Sequence, residues 1–330
     1  MATRRLAALA LFGVLLCLGP SHATLDRLIG RRVLAQTATF RVLSWNISSS
    51  AVVRDPAAFR AIVTRANPDI LLLDEVAPAV TDAQVRAALP EGPLRQPTAR
   101  VAIGVSGGRQ RGVIVSRWPF ADVPELSTAV PYPTAARERL RARMRQAGAT
   151  NPAYSMDGGI PVNGAIATVG ERRVLVVILD LQCCGENPAS WEEERRRIEV
   201  REIRRRIDQV LARTKVDALI VAGDFNLVST PLPLTLVTGP YPSPIDGLIA
   251  ADLRHLDGKE TWTWDGRGTP FPSRPMDFVL YPPRALALRG GHVLDSADLP
   301  AAELARLGIA ADTAVRLSSH LPLVSEFTWR

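Results

Sequence analysis

Apolar residues in this chain gather in short unbroken runs, and several of those runs end on a polar residue suited to chemistry. Leu219-Ile220-Val221-Ala222 is the clearest. A run with no polar alternation predicts a strand buried on both faces. Gly223 breaks it, and Asp224 and Asn226 follow two residues apart, so both side chains leave an extended tip on the same side. A carboxylate and an amide placed together suit a hard metal ion, a phosphate or an attacking water, and a plain Asx turn is the other reading. The pattern recurs. Residues 40–46 predict a strand ending at Trp45-Asn46, Ile70-Leu71-Leu72-Leu73 one ending at Asp74-Glu75, and residues 174–179 one that delivers Asp180. Residues 276–281 predict another strand, this one carrying its carboxylate, Asp277, at the start.

Helical periodicity fills the gaps. Asp55-Pro56 caps a helix to about Arg65 with Phe59, Ile62 and Val63 on one face, and another covers roughly 81–89. Residues 133–148 predict a basic helix whose Arg137, Arg139, Arg141, Arg143 and Arg145 alternate, spreading around it as solvated charge. Residues 190–212 carry Glu-to-Arg spacings of three and four that stabilise an exposed helix. Residues 98–105 and 111–118 predict a hairpin whose tip, Gly107-Gly108-Arg109-Gln110-Arg111-Gly112, is a solvated loop or reaches toward phosphates. A strand is predicted at 161–169. Residues 230–275 form a long proline-rich connection with Trp262 and Trp264 alternating in a strand, and a last element holds 317–324. Strands alternating with helices predict an α/β class. There is no internal repeat.

With 330 residues, 47% of them apolar, the chain can bury a large core, and one α/β domain of this size is common. The formal charge of +7 rests on arginine, Lys215 and Lys259 being the only lysines. A mild basic excess spread along the chain agrees with a polyanionic substrate without demanding one. Arg4 and Arg5 precede an apolar run from Leu6 to Leu18, with small residues at Ser21 and Ala23. That is the pattern of a signal peptide, 1–23, cleaved after Ala23 and too short for a comfortable membrane span. Leu16 before Cys17 argues against lipid attachment, and the Arg pair after Thr3 admits twin-arginine export, whose other preferred residues are absent.

Residues 24–38 read as a linker and 39–330 as the folded domain. Cleavage subtracts two positive charges and no acidic ones, from +7 to +5. No later apolar run is long enough to cross a bilayer, so the expectation is an exported (periplasmic or secreted), soluble monomer. Cys183 and Cys184 remain. Adjacent cysteines close only a strained eight-membered ring, so no stabilising loop-closing disulfide is available. The pair reads as semi-buried thiols, with a vicinal disulfide, an intermolecular bridge or a soft-metal site as alternatives.

Taken in order, Ser44-Trp45-Asn46, Asp74-Glu75, Gly112-Val113-Ile114-Val115-Ser116-Arg117, Gly223-Asp224-Phe225-Asn226, Arg274-Pro275-Met276-Asp277 and Ser319-His320-Leu321-Pro322 resemble the endonuclease/exonuclease/phosphatase superfamily. That superfamily joins pancreatic-type deoxyribonucleases, abasic-site endonucleases, neutral sphingomyelinases and inositol polyphosphate 5-phosphatases. Each motif is short, but six in sequence, spread over the stretch from 40 to 327, cover nearly all of the expected mature chain. The resemblance implies a four-layer α/β sandwich, two packed mixed β-sheets flanked by helices, with the site at one rim. It implies that Asn46 and Glu75 hold Mg2+ (or Mn2+), an oxygen-only set that a hard ion favours. Asp224 then orients or deprotonates water, Asn226 hydrogen-bonds phosphate oxygens, and Asp277 pairs with His320 and favours its imidazolium. His320 stabilises the pentacovalent transition state of in-line hydrolysis.

Two positions depart from the superfamily pattern. Many relatives end the strand at 174–180 in a His-Leu pair whose His protonates the leaving oxygen, and here the pair is Asp180-Leu181. Asp180 is a candidate acid with a raised pKa, a further metal ligand, or the mark of a site that has lost activity. Ser319 stands where relatives carry an Asp that serves the metal. His320 is the only histidine of the expected mature chain at a motif position; abasic-site endonucleases also lack the first His. Three functions follow: a phosphodiesterase acting on nucleic acid, a phosphoesterase for a lipid headgroup or small organophosphate, and a catalytically impaired binding member.

Overall fold

A computed structural model describes residues 39–185, 187–240 and 243–330; the expected leader and linker lie outside them. The apolar runs become twelve strands: β1 (Thr39–Ser49), β2 (Ile70–Val76), β3 (Arg100–Ile103), β4 (Arg111–Ser116), β5 (Phe120–Asp122), β6 (Val162–Val169), β7 (Arg172–Asp180), β8 (Ala218–Asp224), β9 (Ile249–Ala250), β10 (Asp277–Tyr281), β11 (Leu286–Val293) and β12 (Leu323–Trp329). They form two six-stranded mixed sheets, ordered β11-β12-β1-β2-β4-β3 and β5-β6-β7-β8-β10-β9. The only parallel pairs among them, β1 with β2 and β7 with β8, lie inside their sheets.

Parallel neighbours need a crossover, and each pair has a helix. α1 (Pro56–Ala66) joins β1 to β2, capped by the Asp55 side chain, which accepts from the Ala58 N–H at 3.0 Å. α2 (Asp82–Ala88) has a Thr81–Gln84 capping box, and α3 (Thr134–Gln146) precedes β6. α4 (Trp191–Arg213) joins β7 to β8. Strict alternation explains the layering: Val174, Val176 and Ile178 of β7 pack in the core between the sheets, while Leu175, Val177 and Leu179 pack outward against Val200, Ile203 and Ile207 of α4. On the other side Phe59, Ile62 and Val63 of α1 join the inter-sheet core's network. The result is the α/β sandwich with helices outside.

Several expectations need correction. α4 is not an exposed helix: Glu193, Arg195, Arg196, Glu199 and Glu202 are buried on it. Spacing of three and four reports which charges can pair, not which side of the helix meets the protein. α3 is anchored through Leu140 and Met144. Trp262 and Trp264 form no strand; Trp264 makes only isolated bridges to Arg274 and His320. The last element divides into a short helix, Thr313–Leu317, and β12. β11 went unrecognised because Arg289-Gly290-Gly291 interrupts its apolar pattern, at a register shift against β12.

Candidate active site

Register alone places the polar strand tips together. Asn46 is the cross-strand partner of Asp74 at the end of the β1/β2 pair, and Asp180 is that of Asp224 at the end of β7/β8. Asp277, opening antiparallel β10, is paired with Asp224 from the other side. Packing the two sheets face to face then brings both tips to one rim.

Backbone geometry aims the remaining groups. Glu75 sits at φ 51°, where β2 slips register against β4 between Leu73 and Val76. This left-handed residue turns the carboxylate out of the strand, a cost that surrounding structure must hold in place. Asn226 has φ 49° and donates its Nδ2 to the Leu181 carbonyl at 2.8 Å, tying the tip after β8 to the tip after β7. The Asn226 N–H donates to Asp224 Oδ1 at 2.8 Å. Gly223 takes φ 127°, and a Cβ there would lie 1.9 Å from the Leu179 carbonyl oxygen, so only glycine fits.

His320 Nδ1 lies 2.9 Å from Asp277 Oδ2, and its Nε2 lies 3.7 Å from Asp224 Oδ2. Burial pulls the imidazole's pKa down, but Asp277 and Asp224 outweigh it and lift it to about 10. His320 is therefore an imidazolium at neutral pH. Two hydroxyls with no place in the expected site support it. Thr263 Oγ1 donates to Asp277 Oδ2 at 2.6 Å and accepts from the Met276 and Asp277 N–H groups. Ser318 Oγ donates to the Asn46 carbonyl at 2.7 Å and accepts from the His320 N–H. Nothing around Thr263 in the sequence marks it; Ser318 is at least adjacent to a motif. Trp45 Nε1 also donates to the His320 carbonyl at 2.9 Å.

The carboxylates crowd one another. Burial first, then Asp277, Asp224 and Glu75, raise Asp74 well above the usual carboxylate range. Burial, then Glu75, Asp224 and Asp74, do the same to Asp180. Burial and Asp277 raise Asp224 to about 8, against the imidazolium. Among the described residues, oxygens of Glu75, Asp180 and Asp224 lie within 4.8 Å of one another, and ligand atoms of Asp224, Asp277 and His320 form a second such group. Both oxygens of Asp74 and Oδ1 of Asp277 are buried with no hydrogen-bond partner. Buried carboxylates crowded by like charge, three of their oxygens without a hydrogen-bond donor, fit a hard divalent cation. Asn46 presents Nδ2 to Glu75 at 3.0 Å and to Asp224 at 3.3 Å, while its Oδ1 accepts from the Ser48 N–H. Holding a cation through that oxygen requires the amide to turn over.

Glu75, Asp224, Asn226 and His320 line an open cleft of about 510 Å³, walled also by Cys183, Cys184, Val228, Trp264, Phe271, Arg274 and Met276. Asn46 and Asp277 stand behind this floor through their hydrogen bonds to it. Asp180 and Asp74 flank a separate, narrow space with Gln110 and Arg111 of the hairpin tip. Ser319 is exposed, its carbonyl accepting from the Asp265 N–H. Cys183 and Cys184 are exposed thiols, where semi-buried ones were expected.

The sequence profile of the Endonuclease/Exonuclease/phosphatase family matches residues 43–320. This chain belongs to that family. Its members are hydrolases acting on phosphate esters, dependent on divalent metal. Among solved structures, the chain is similar to an endonuclease/exonuclease/phosphatase from Beutenbergia cavernae (19% identity, 88% of this chain and 72% of that one, TM-score 0.55). It is also similar to truncated TDP2 from Caenorhabditis elegans (16%, 89% and 99%, 0.56). A third is the 3′ phosphatase NExo from Neisseria, bound to a product DNA hairpin (17%, 88% and 100%, 0.53). At such identity the likeness is one of fold. No curated protein matches the chain.

Proposed function

We propose that this family member is an exported, divalent-metal-dependent phosphodiesterase that hydrolyses nucleic acid. The observation that carries the reading is the row Asp277–His320–Asp224, with His320 and Asp224 at the cleft floor and Asp277 behind them, an imidazolium facing open space beside Glu75 and Asn226. A tethered cation next to carboxylates suits a phosphoryl group that gains charge on reaction. The basic balance of the chain and the DNA bound by the Neisseria relative support a polynucleotide.

In this reading Asn226 Nδ2 and His320 Nε2–H hold the phosphoryl oxygens. Asp224 takes the proton of the attacking water as the new P–O bond forms and the bond to the leaving oxygen breaks. The leaving oxygen takes a proton from solvent, since Asp180 does not line the cleft. When bound, a divalent cation neutralises phosphoryl and carboxylate charge, which lets Asp224 work as its anion. Glu75 and Asp180, with Asn46 after its amide turns, are the residues that hold it, and Asp180 serves there in preference to the acid role. Asp277 keeps the proton of His320 on the ring.

The test is hydrolysis of bis-p-nitrophenyl phosphate, p-nitrophenyl phosphate, plasmid DNA and sphingomyelin with magnesium, manganese or chelator. Diester and DNA cleavage that needs the metal is expected, with His320→Ala lowering kcat/KM about 10²–10³-fold. Cleavage of the monoester alone overturns the nuclease reading, and no activity in any arm points to a binding member. Sphingomyelin cleavage would favour the second reading, a lipid or small organic phosphoester, for which exposed Phe271 beside the cleft is the supporting feature. Among the described residues no helix is long and apolar enough to cross a membrane.

A further inference from the structure

The phosphoester chemistry makes no use of the two thiols in the cleft wall. Neighbouring side chains on an extended segment point to opposite sides, yet the Sγ atoms of Cys183 and Cys184 lie 2.7 Å apart. Cys184 achieves this by taking φ 70°. Both flanks of the pair are pinned from below by buried residues of α4. Arg196 Nη1 donates to the carbonyls of Gln182 at 2.6 Å and Cys184 at 2.7 Å, and the Gln182 N–H donates to Glu199 Oε2 at 2.8 Å. The thiols are therefore held together on a fixed backbone, exposed to solvent, in the same wall as Glu75, Asp224 and His320.

We propose that Cys183 and Cys184 form a reversible dithiol–disulfide site that reacts with low-molecular-weight disulfides and reshapes the mouth of the phosphoester cleft. Cys184 is the attacking group. The contact with Cys183 lowers its thiol to about 7, helped by the Arg196 guanidinium that holds the Cys184 carbonyl at 2.7 Å, and raises Cys183. The Cys184 thiolate attacks one sulfur of the small disulfide and expels the first thiol. Cys183 then loses its proton and attacks Cys184 Sγ, expelling the second. The protein pair gives up two electrons and two protons, and the small disulfide becomes two thiols. Closure brings the sulfurs from 2.7 Å to roughly 2.0 Å, the length of the bond. Closing the strained eight-membered ring moves both side chains in the cleft wall.

The probe is 5,5′-dithiobis(2-nitrobenzoate), added to the folded full chain carrying Cys17→Ser so that this pair holds the only thiols. The expected result is release of two chromophore equivalents per chain, loss of two hydrogens in mass with no retained adduct, and reversal by dithiothreitol. Cys183→Ser should release one equivalent and keep the adduct on Cys184. Two retained adducts, a covalent dimer, or no release from folded protein each overturn the proposal. A second arm compares oxidised and reduced protein on bis-p-nitrophenyl phosphate. KM should change at least about 3-fold with kcat less affected, and equal KM values overturn the claim on the cleft mouth. Only this arm rests on the phosphodiesterase reading, so an inactive protein with the expected thiol chemistry sinks that reading and not the thiol pair.

Discussion

The two parallel crossovers of this molecule do the same topological task with opposite chemistry. α1 spans 11 residues and buries only apolar side chains, Ala58, Phe59, Ala61, Ile62, Val63 and Ala66. α4 spans 23 residues and buries five charged ones. The first unit delivers Asn46 and Glu75 through strand register and left-handed backbone at Ser48, Ser49 and Glu75. The second holds its loops by side-chain bonds from the helix: Glu193 accepts from Ser229 and Thr230 beyond β8, and Arg196 and Glu199 hold the segment beyond β7. Apolar packing is enough to position a strand tip. Irregular segments beyond the tip need directional bonds, and at α4 those are supplied by buried ion pairs, such as Glu193–Arg196 with both side chains fully buried.

That contrast can be broken at its centre. Arg196→Met leaves Glu193 buried short of a partner and should cost about 3–5 kcal/mol in urea unfolding. Phe59→Ala, which empties the stack against Trp45 at 5.7 Å, should cost a similar ~3–5 kcal/mol. The two should part in a second measurement: only Arg196→Met should change the alkylation rate of Cys184. Equal effects on that rate would remove the distinction between the units.

The units meet at Asp224, and pH separates their contributions. Folding raises its pKa from 3.8 to about 8, so the folded state keeps a proton that the unfolded chain releases. The resulting stability is present below 3.8 and lost as pH rises through about 8. His320 has the same sign, from 6.5 to about 10. Thermal melts in chelator should fall across these windows, Asp224→Asn should flatten the first, and saturating magnesium should flatten it as well. The smallest effect belongs to the helix caps. Asp55→Ala and Ser190→Ala each remove one side-chain acceptor, from Ala58 and Glu193, and should each cost about 1 kcal/mol. Matching costs would place the difference between the units in their buried faces and not in their ends.

Much of this was legible in the residues. Runs such as 219–222 and 70–73 announce buried strands because a two-sided burial leaves no polar alternation, and the polar residue after each run is forced to the rim. The order of six motifs then carried the family. Asp74 stands in a motif whose resemblance assigns a role to its neighbour Glu75 alone; only three dimensions show its orphaned oxygens. The buried face of α4 was illegible for a different reason. A Glu–Arg spacing looks the same on a solvated helix and on one that clamps two loops. Thr263 and Trp264 lie in a stretch fixed by partners ten or more residues away, and local pattern holds no record of them.

β1 lies between β2 and β12, its residues 39–44 paired with 323–328. Synthesis order and closure order are thus opposed: the first of these strands to emerge from the ribosome waits longest for its second neighbour. Until Leu323–Trp329 arrives, a row of backbone donors and acceptors on β1 stands open, a template for pairing with another nascent copy. Loss of those seven residues would be felt first as aggregation during expression, ahead of any change in chemistry at the rim.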